Sequence, residues 1–384
     1  MRRRSFVATG AAAAAALSGG AWHPHAAAQA NAAVAPGAEL VFGQSAPLSG
    51  ALGEQVRLVN LGAQIVFDEI NAIGGVQGHK IRLKAVDDQS DPSQARAAYQ
   101  ALLTEQRVFG LFGCVGSASS AAAEAVLRSS GAVAFGGYGV TDSVREASRG
   151  AAYFVRAGYG RECEALVAQL VTIGISGIAV VHVANPGGEE VLQLIKSAMA
   201  ARHLEVAVSA AVTQEGSNIN EAAKKLLALQ PQAVLMFLAG PPAAELMDTV
   251  RRLGGRASFY GLSLVAGEQV MERLGERARG LALSEVMPYP WHAADPDLIK
   301  YRRLAAAAKL PVGYATLEGY VNARVLVEAL QRCGGEFSRQ RLHAVLRKMQ
   351  WRYAGLDLDF GAGQGTGSTF VDLVQIAPGG RYIR

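Results

Sequence analysis

VFGLFGCVGSASSAAAE, residues 108–124, is the stretch from which the fold is read. Residues 108–112 form the short apolar run of a buried strand, a Gly/Ser turn occupies 113–120, and an Ala-rich helix follows. The first turn of a helix leaves backbone N–H groups without intrahelical partners, and its dipole end is positive. Strand, small-residue turn and helix start therefore make a cradle for an anion. Gly113 and Gly116 let the backbone approach a ligand, while Ser117, Ser119 and Ser120 can cap the helix or donate hydroxyls to the anion. The cradle reads as the carboxylate site of a small-molecule binder; the plain alternative is a serine N-cap with no ligand.

The same grammar extends in both directions. Upstream, strands are expected at 40–42 and 81–86, with helices at 56–73, closed by Gly74-Gly75, and 92–106, opened by Asp91. Asp87 and Asp88 end a strand and point to opposite faces, which suits turn or cap roles better than a shared metal or acid/base task. A strand at 131–135 completes a first set. After Arg156 the alternation restarts, with helices at 162–173, 189–201, 218–229 and 243–253 interleaved with strands at 178–183, 206–212, 233–238 and 259–261. Strand–helix alternation predicts parallel sheets with ligands at the strands' carboxyl ends, and two such sheets leave a cleft between them. Met287-Pro288-Tyr289-Pro290-Trp291 is too Pro-rich for either element and reads as a crossing between lobes. Helices at 295–309, 316–333 and 338–349 and a Gly-rich tail with a strand at 370–376 finish the chain.

With 384 residues, few aromatics (7%) and 44 glycines, the chain suits α/β layers with close helix–strand packing. Arg2-Arg3-Arg4-Ser5-Phe6-Val7, an Ala-rich run and Ala28-Gln29-Ala30 make residues 1–30 an export signal that resembles the twin-arginine kind, with a general secretory signal as the alternative and the mature chain beginning near Asn31. Removing three arginines and no acid from a formal charge of +5 leaves +2, and no basic run is interleaved with aromatics, so nucleic acid is not an expected partner. Cys114, Cys163 and Cys333 allow at most one disulfide; buried, unpaired thiols are expected. The histidines lack paired metal spacing, and Gly-x-Ser-x-Gly, P-loop and His-Glu-x-x-His motifs are missing. No enzyme, cofactor or metal site is expected.

Ala46-Pro47-Leu48-Ser49-Gly50, Asn71-Ala72-Ile73-Gly74-Gly75-Val76-Gln77-Gly78, Asp87-Asp88 and the Gly/Ser loop together resemble the type I periplasmic binding proteins, the leucine/isoleucine/valine-binding branch of ABC importers. Val155-Arg156-Ala157-Gly158-Tyr159 and Leu317-Glu318-Gly319-Tyr320 are similar to a subgroup whose ligands are mostly unassigned. The resemblance implies an α/β fold of two Rossmann-like lobes, 38–158 plus 286–368 and 159–285 plus 369–384, joined by a three-crossing hinge near Gly158, Glu285 and Ser368. It implies a soluble, monomeric periplasmic receptor that binds a small carboxylate and delivers it to an inner-membrane ABC permease. A ligand-sensing protein of the same fold, or a branched-chain amino acid or amide binder, is the alternative.

By the resemblance, Ser117 holds the ligand carboxylate, and Val140 or Thr141 contributes from the next loop. Where the amino acid binders place a carboxylate opposite the ammonium, this chain has Ser263. An amine buried without an acid loses a charge-assisted hydrogen bond of about 1.5 to 3 kcal/mol, which disfavours an α-amino acid. Gly187, Gly240 and Gln55 stand near the places of aromatic walls. The expectation is an acid without an α-amine, aromatic or otherwise bulky, with Tyr138 and Tyr159 as walls and Tyr314 near the cleft. Glu318 and Arg324 are read as helix-surface or interlobe partners.

Overall fold

The computed structural model describes residues 33–384, so the export signal read from residues 1–30 lies outside the described residues. The first lobe begins with β1 (Leu40–Ala46), α1 (Gly53–Ala72), β2 (Ile81–Asp87), α2 (Pro92–Gln100), β3 (Gly110–Phe112), α3 (Ser117–Ser130), β4 (Ala134–Phe135), α4 (Asp142–Ala147) and β5 (Ala152–Tyr153). Its sheet has the order β2-β1-β3-β4-β5 and every pairing is parallel. The second lobe takes α5 (Tyr159–Thr172), β6 (Ile178–Val183), α6 (Pro186–Ala200), β7 (Val208–Val212), α7 (Ile219–Leu229), β8 (Ala233–Phe237), α8 (Gly240–Arg252), β9 (Ser258–Gly261), α9 (Gly267–Leu274) and β10 (Ala282–Glu285).

The chain then returns to the first lobe as α10 (Pro296–Ala307), α11 (Tyr314–Arg332), α12 (Arg339–Leu346) and the hairpin of β11 (Gln350–Tyr353) and β12 (Leu356–Asp359). Finally β13 (Asp372–Ile376) and β14 (Tyr382–Ile383) rejoin the second sheet, ordered β14-β13-β10-β9-β8-β6-β7. Those two strands run antiparallel to their neighbours; the other pairings of that sheet are parallel. β6 and β8 are buried almost throughout, as expected of parallel strands covered by helices on both faces.

Local chemistry sets the helix starts. Asp91 accepts from the N–H groups of Ser93 and Gln94, Asp295 from those of Asp297 and Leu298, and Ser338 from that of Arg341. The helix expected over 92–106 is α-helical only to Gln100. The chain then widens into a single π-type turn, with the Gln106 N–H reaching back to the Ala101 carbonyl. All three cysteines are buried and unpaired.

The return of the chain is fixed by α11 lying along α1. Gly62 faces the Thr316 carbonyl and Gly319 faces the Val59 carbonyl, so a methyl on either glycine would collide with the other helix's backbone. Backbone cannot yield as a side-chain tip can. Gly319→Ala is therefore expected to cost about 2 kcal/mol through overpacking, read as a lower urea midpoint at unchanged m-value. Arg339 ties α12 to the same lobe by donating to the carbonyls of Val108, Phe109 and Ser130.

Candidate ligand-binding cleft

The carboxyl ends of the strands of both sheets meet around a cavity of about 330 Å³. The first lobe contributes the segments after β1, β3 and β4, and the second those after β6, β7 and β8. At the first wall, Gly116 precedes α3 with φ +94°, a conformation that glycine adopts without strain. No side chain caps α3, and its first intrahelical bond runs from the Ser120 N–H to the Gly116 carbonyl at 3.0 Å. The N–H groups of Ser117, Ala118 and Ser119 thus have no intrahelical partner, and all three residues line the cavity. The Ser117 hydroxyl donates to the Gly139 carbonyl at 3.2 Å and accepts from the Thr141 N–H at 2.9 Å. That holds the loop after β4 against α3. The Thr141 hydroxyl, on a residue 1% exposed, has no protein partner.

The opposite wall presents two more helix starts. Asn185 caps α6 by accepting from the Gly188 N–H at 2.9 Å, and Ala239 and Pro242 bring the beginning of α8 to the cavity. With α3, three helix N-termini converge here, an arrangement that favours negative charge. A Cβ on Gly187 would lie 3.4 Å from Thr141 Cγ2 and 3.5 Å from Ser117 Oγ, so a side chain there would occupy the cavity between the lobes. Apolar surface comes from Leu52, Val115, Phe237 and Leu264.

Two contacts join the lobes, the first of them at the cavity. The Glu190 carboxylate of α6 accepts from the backbone N–H of Ser143 at 2.8 Å and from its hydroxyl, at the first turn of α4. Asp142 accepts from the N–H groups of Tyr159 and Gly160 at 3.0 and 2.9 Å, so a first-lobe side chain satisfies the start of α5. The Glu190 contact is solvent-exposed and of modest strength. Glu190→Ala is expected to weaken ligand binding two- to fivefold through a faster off-rate, with unfolding stability unchanged within about 0.5 kcal/mol; stopped-flow dissociation and urea titration check both.

Behind the cavity lies a buried charge cluster. Arg156, 1% exposed, faces Glu162 at 3.5 Å and Glu318 at 3.2 Å and donates to the Ser263 hydroxyl. Its guanidinium covers the Tyr138 ring at 4.8 Å and lies 5.8 Å from the Tyr159 ring. Glu162 also accepts from the Ser263 N–H at 2.8 Å, the Ser263 hydroxyl at 3.0 Å and the Ser284 hydroxyl at 2.7 Å. Burial pushes the Glu318 carboxyl up and both tyrosine hydroxyls above their ordinary range.

A family model described as periplasmic binding protein matches residues 39–381. The chain belongs to the periplasmic binding protein family. Among solved structures, this periplasmic binding protein is similar to a substrate-binding periplasmic protein from Ralstonia solanacearum, at 28% identity and TM-score 0.83 over 90% of this chain and 99% of that one. It is similar to a possible leucine/isoleucine/valine-binding protein from Rhodopirellula baltica SH 1, at 25% identity and TM-score 0.85 over 91% and 97%. An ABC-transporter solute binding protein from R. palustris, solved in complex with benzoate, shares the fold at 17% identity and TM-score 0.80 over 90% and 95%. A comparison with curated proteins gave no match.

Of the residues singled out in the sequence, the periplasmic binding protein brings Gly116, Ser117, Ser119, Thr141 and Gly187 to the cavity. Ser120, Tyr138, Val140, Tyr159, Ser263 and Tyr314 lie off it, each for a physical reason. Ser120, one position further round α3, meets the Tyr99 hydroxyl. The Val140 side chain packs with Ala152 and Phe154, and its carbonyl accepts from Arg145 Nε at 2.9 Å. Tyr138 and Tyr159 are not cleft walls, because both rings are drawn inward by Arg156 and, for Tyr159, by Phe237 at 4.8 Å. Ser263 is held by Glu162 and Arg156, and with Tyr314 it lines a separate, smaller inner cavity. Gly240 does not widen the cleft: a Cβ there would meet Gln269 and the Val265 carbonyl. Gln55 lines the inner cavity rather than the outer one. Asp87 and Asp88 serve turns, Asp87 accepting from Leu48 and Gln89 N–H groups and Asp88 from the Ser45 hydroxyl. The sequence reading passed over Asn185, Glu190, Thr213 and Gln214. Asn185-Pro186 after an apolar strand is an N-cap signal that would have placed α6's start at the cleft.

Proposed function

We propose that this chain is the periplasmic solute receptor of an ABC importer, closing its lobes on a small carboxylate. The observation that carries this reading is the pairing of three unpartnered N–H groups at the start of α3 with the buried, unpartnered Thr141 hydroxyl on one wall of the cavity. A carboxylate has the acceptor capacity for both. An α-ammonium is poorly matched, because the acid nearest to Ser263 is Glu162, whose oxygens already accept from Ser263, Ser284 and Arg156. Acids without an α-amine, aromatic ones included, are the preferred class; the benzoate-bound protein of the same fold supports including them.

Contacts made only in the closed form shift the hinge equilibrium and present both lobe surfaces to an inner-membrane permease. The lobes are taken as 38–158 with 286–368 and 159–285 with 369–384, and the receptor as an exported, soluble monomer with no enzymatic activity. A thermal-shift screen of the exported chain against amine-free acids, α-amino acids, dicarboxylates and amides tests the reading. Ligand at about 100 times its Kd adds roughly 2.7 kcal/mol to the folded form. Amine-free acids are expected to raise the Tm; a shift confined to α-amino acids or to amides would reject them as the ligand class.

A further inference from the structure

The inner cavity, about 10 Å³, lies on the seam between the lobes. Gln55, Tyr314 and Glu318 line it from the first lobe, and Ser263, Glu268 and Glu285 from the second. Three carboxyl groups thus surround a space no larger than one water, and a fourth, Glu162, stands behind it, accepting from the Ser263 N–H at 2.8 Å. Arg156 pairs with Glu162 and Glu318, at 3.5 and 3.2 Å, and Glu285 is left without an ion pair among the described residues. Glu285, 5% exposed, ends β10 opposite Asp372 of β13, an acid already taken by Arg384 at 2.7 Å. The other charged or titratable groups around Glu285 are Glu268 of α9, Glu162 of α5, Glu318 and Tyr314 of α11, Tyr382 of β14 and Arg156 of the crossing after β5. Burial, with the carboxylates of Glu268, Glu162 and Glu318, holds the Glu285 carboxyl well above its ordinary value of 4.5. Burial raises the carboxyls of Glu268 and Glu318 as well.

A buried carboxyl with no cation of its own stays neutral while the seam is shut. Once ionised it needs water, and parting the lobes supplies it. We infer that Glu285 is a proton-operated latch on lobe closure: with its proton the seam shuts, and without it the seam opens. The sign follows from linkage. The carboxyl is held higher in the closed form than in the open one, where water reaches it. Its contribution to closure is therefore fully present below the open-form value, near the ordinary 4.5, and is lost as pH rises through the closed-form value. Between the two values, one proton changes the ratio of closed to open chains by about tenfold per pH unit. Contacts that hold a ligand only in the closed form are then strengthened by acid, and release is favoured as the pH rises. The inference rests on the reading of this chain as a receptor that closes on its ligand, and not on the class of that ligand.

The test is small-angle scattering of the exported chain without ligand, at pH 5 and pH 8 and equal ionic strength, on wild type and Glu285→Gln. Wild type is expected to have the larger radius of gyration at pH 8. Glu285→Gln, near-isosteric and standing for the protonated carboxyl, is expected to keep the compact value at both. Equal radii in wild type at the two pH values overturn the latch, as does a Glu285→Gln chain that expands with wild type or is expanded throughout. Urea curves at both pH values check that each chain is folded. Infrared difference spectra of wild type alone give a readout that no substitution disturbs: expansion at pH 8 is expected to coincide with loss of a protonated-carboxyl band, and expansion with that band retained overturns the latch. Because no ligand is present, failure here leaves the carboxylate reading to its own thermal-shift screen, and a screen in which no acid raises the Tm leaves the latch standing.

Discussion

Arg156→Met is expected to lower the unfolding free energy by about 3 to 5 kcal/mol at pH 7, the range for breaking a buried ion pair from one side. The arginine is 1% exposed and stands between Glu162 and Glu318, with Ser263 as a further acceptor. Methionine fills much of the volume but supplies no charge, leaving two buried carboxylates without their cation. The pH dependence separates this mechanism from simple loss of packing. Burial already raises the Glu318 carboxyl above its ordinary value of 4.5 against the lowering influence of Arg156. Without the arginine it rises further. A carboxyl held above its unfolded value contributes stability that is fully present below the unfolded pKa and is lost as pH rises through the folded one. The deficit relative to wild type should therefore be larger at pH 8 than at pH 5, read by urea denaturation at both. A deficit under 1 kcal/mol, or one independent of pH, would mean that the cluster is held by packing and not by charge.

That cluster also marks where sequence reading stops. Apolar runs such as Ile178–Val183 and Ala233–Phe237 announced their strands because both faces of a parallel sheet are covered. Asp91 and Ser338 announced helix starts through short-range chemistry that a sequence displays directly. β1 was harder. Gly43, Gln44 and Ser45 are poor strand formers, yet the strand runs to Ala46 because β2 pairs with it residue by residue and Leu102 and Leu111 pack closely over Gly43. The partnership of Arg156 with Glu318 spans 162 positions, and nothing local in either segment declares it. Tyr138 reads as a wall from its place at a strand end, and Tyr159 from following the crossing near Gly158; a buried guanidinium turns both rings inward, a long-range effect. The anion cradle was legible in its backbone, less so in its side chains. The cap of α3 is Gly116 rather than a serine, which frees the Ser117 hydroxyl for the loop after β4.

Ser117→Ala combined with Thr141→Val is expected to weaken binding of the preferred acid by about 2 to 4 kcal/mol, a loss of roughly 30- to 1,000-fold in affinity. The two changes act differently. Thr141→Val removes a hydroxyl that has no protein partner, so its effect should fall on the ligand alone and leave the free protein equally or more stable. Ser117→Ala removes a hydroxyl that bridges the Gly139 carbonyl and the Thr141 N–H, so it loosens the loop carrying Thr141 and should cost about 1 kcal/mol of unfolding stability as well. Because Ser117 positions the residue that Thr141→Val alters, the double variant should lose less affinity than the sum of the single losses. Calorimetric titration of wild type, both single variants and the double, beside urea curves of each without ligand, measures that coupling. Additive affinity losses would place Ser117 and Thr141 in independent contact with the ligand. No loss in either single variant would remove the start of α3 as the carboxylate site.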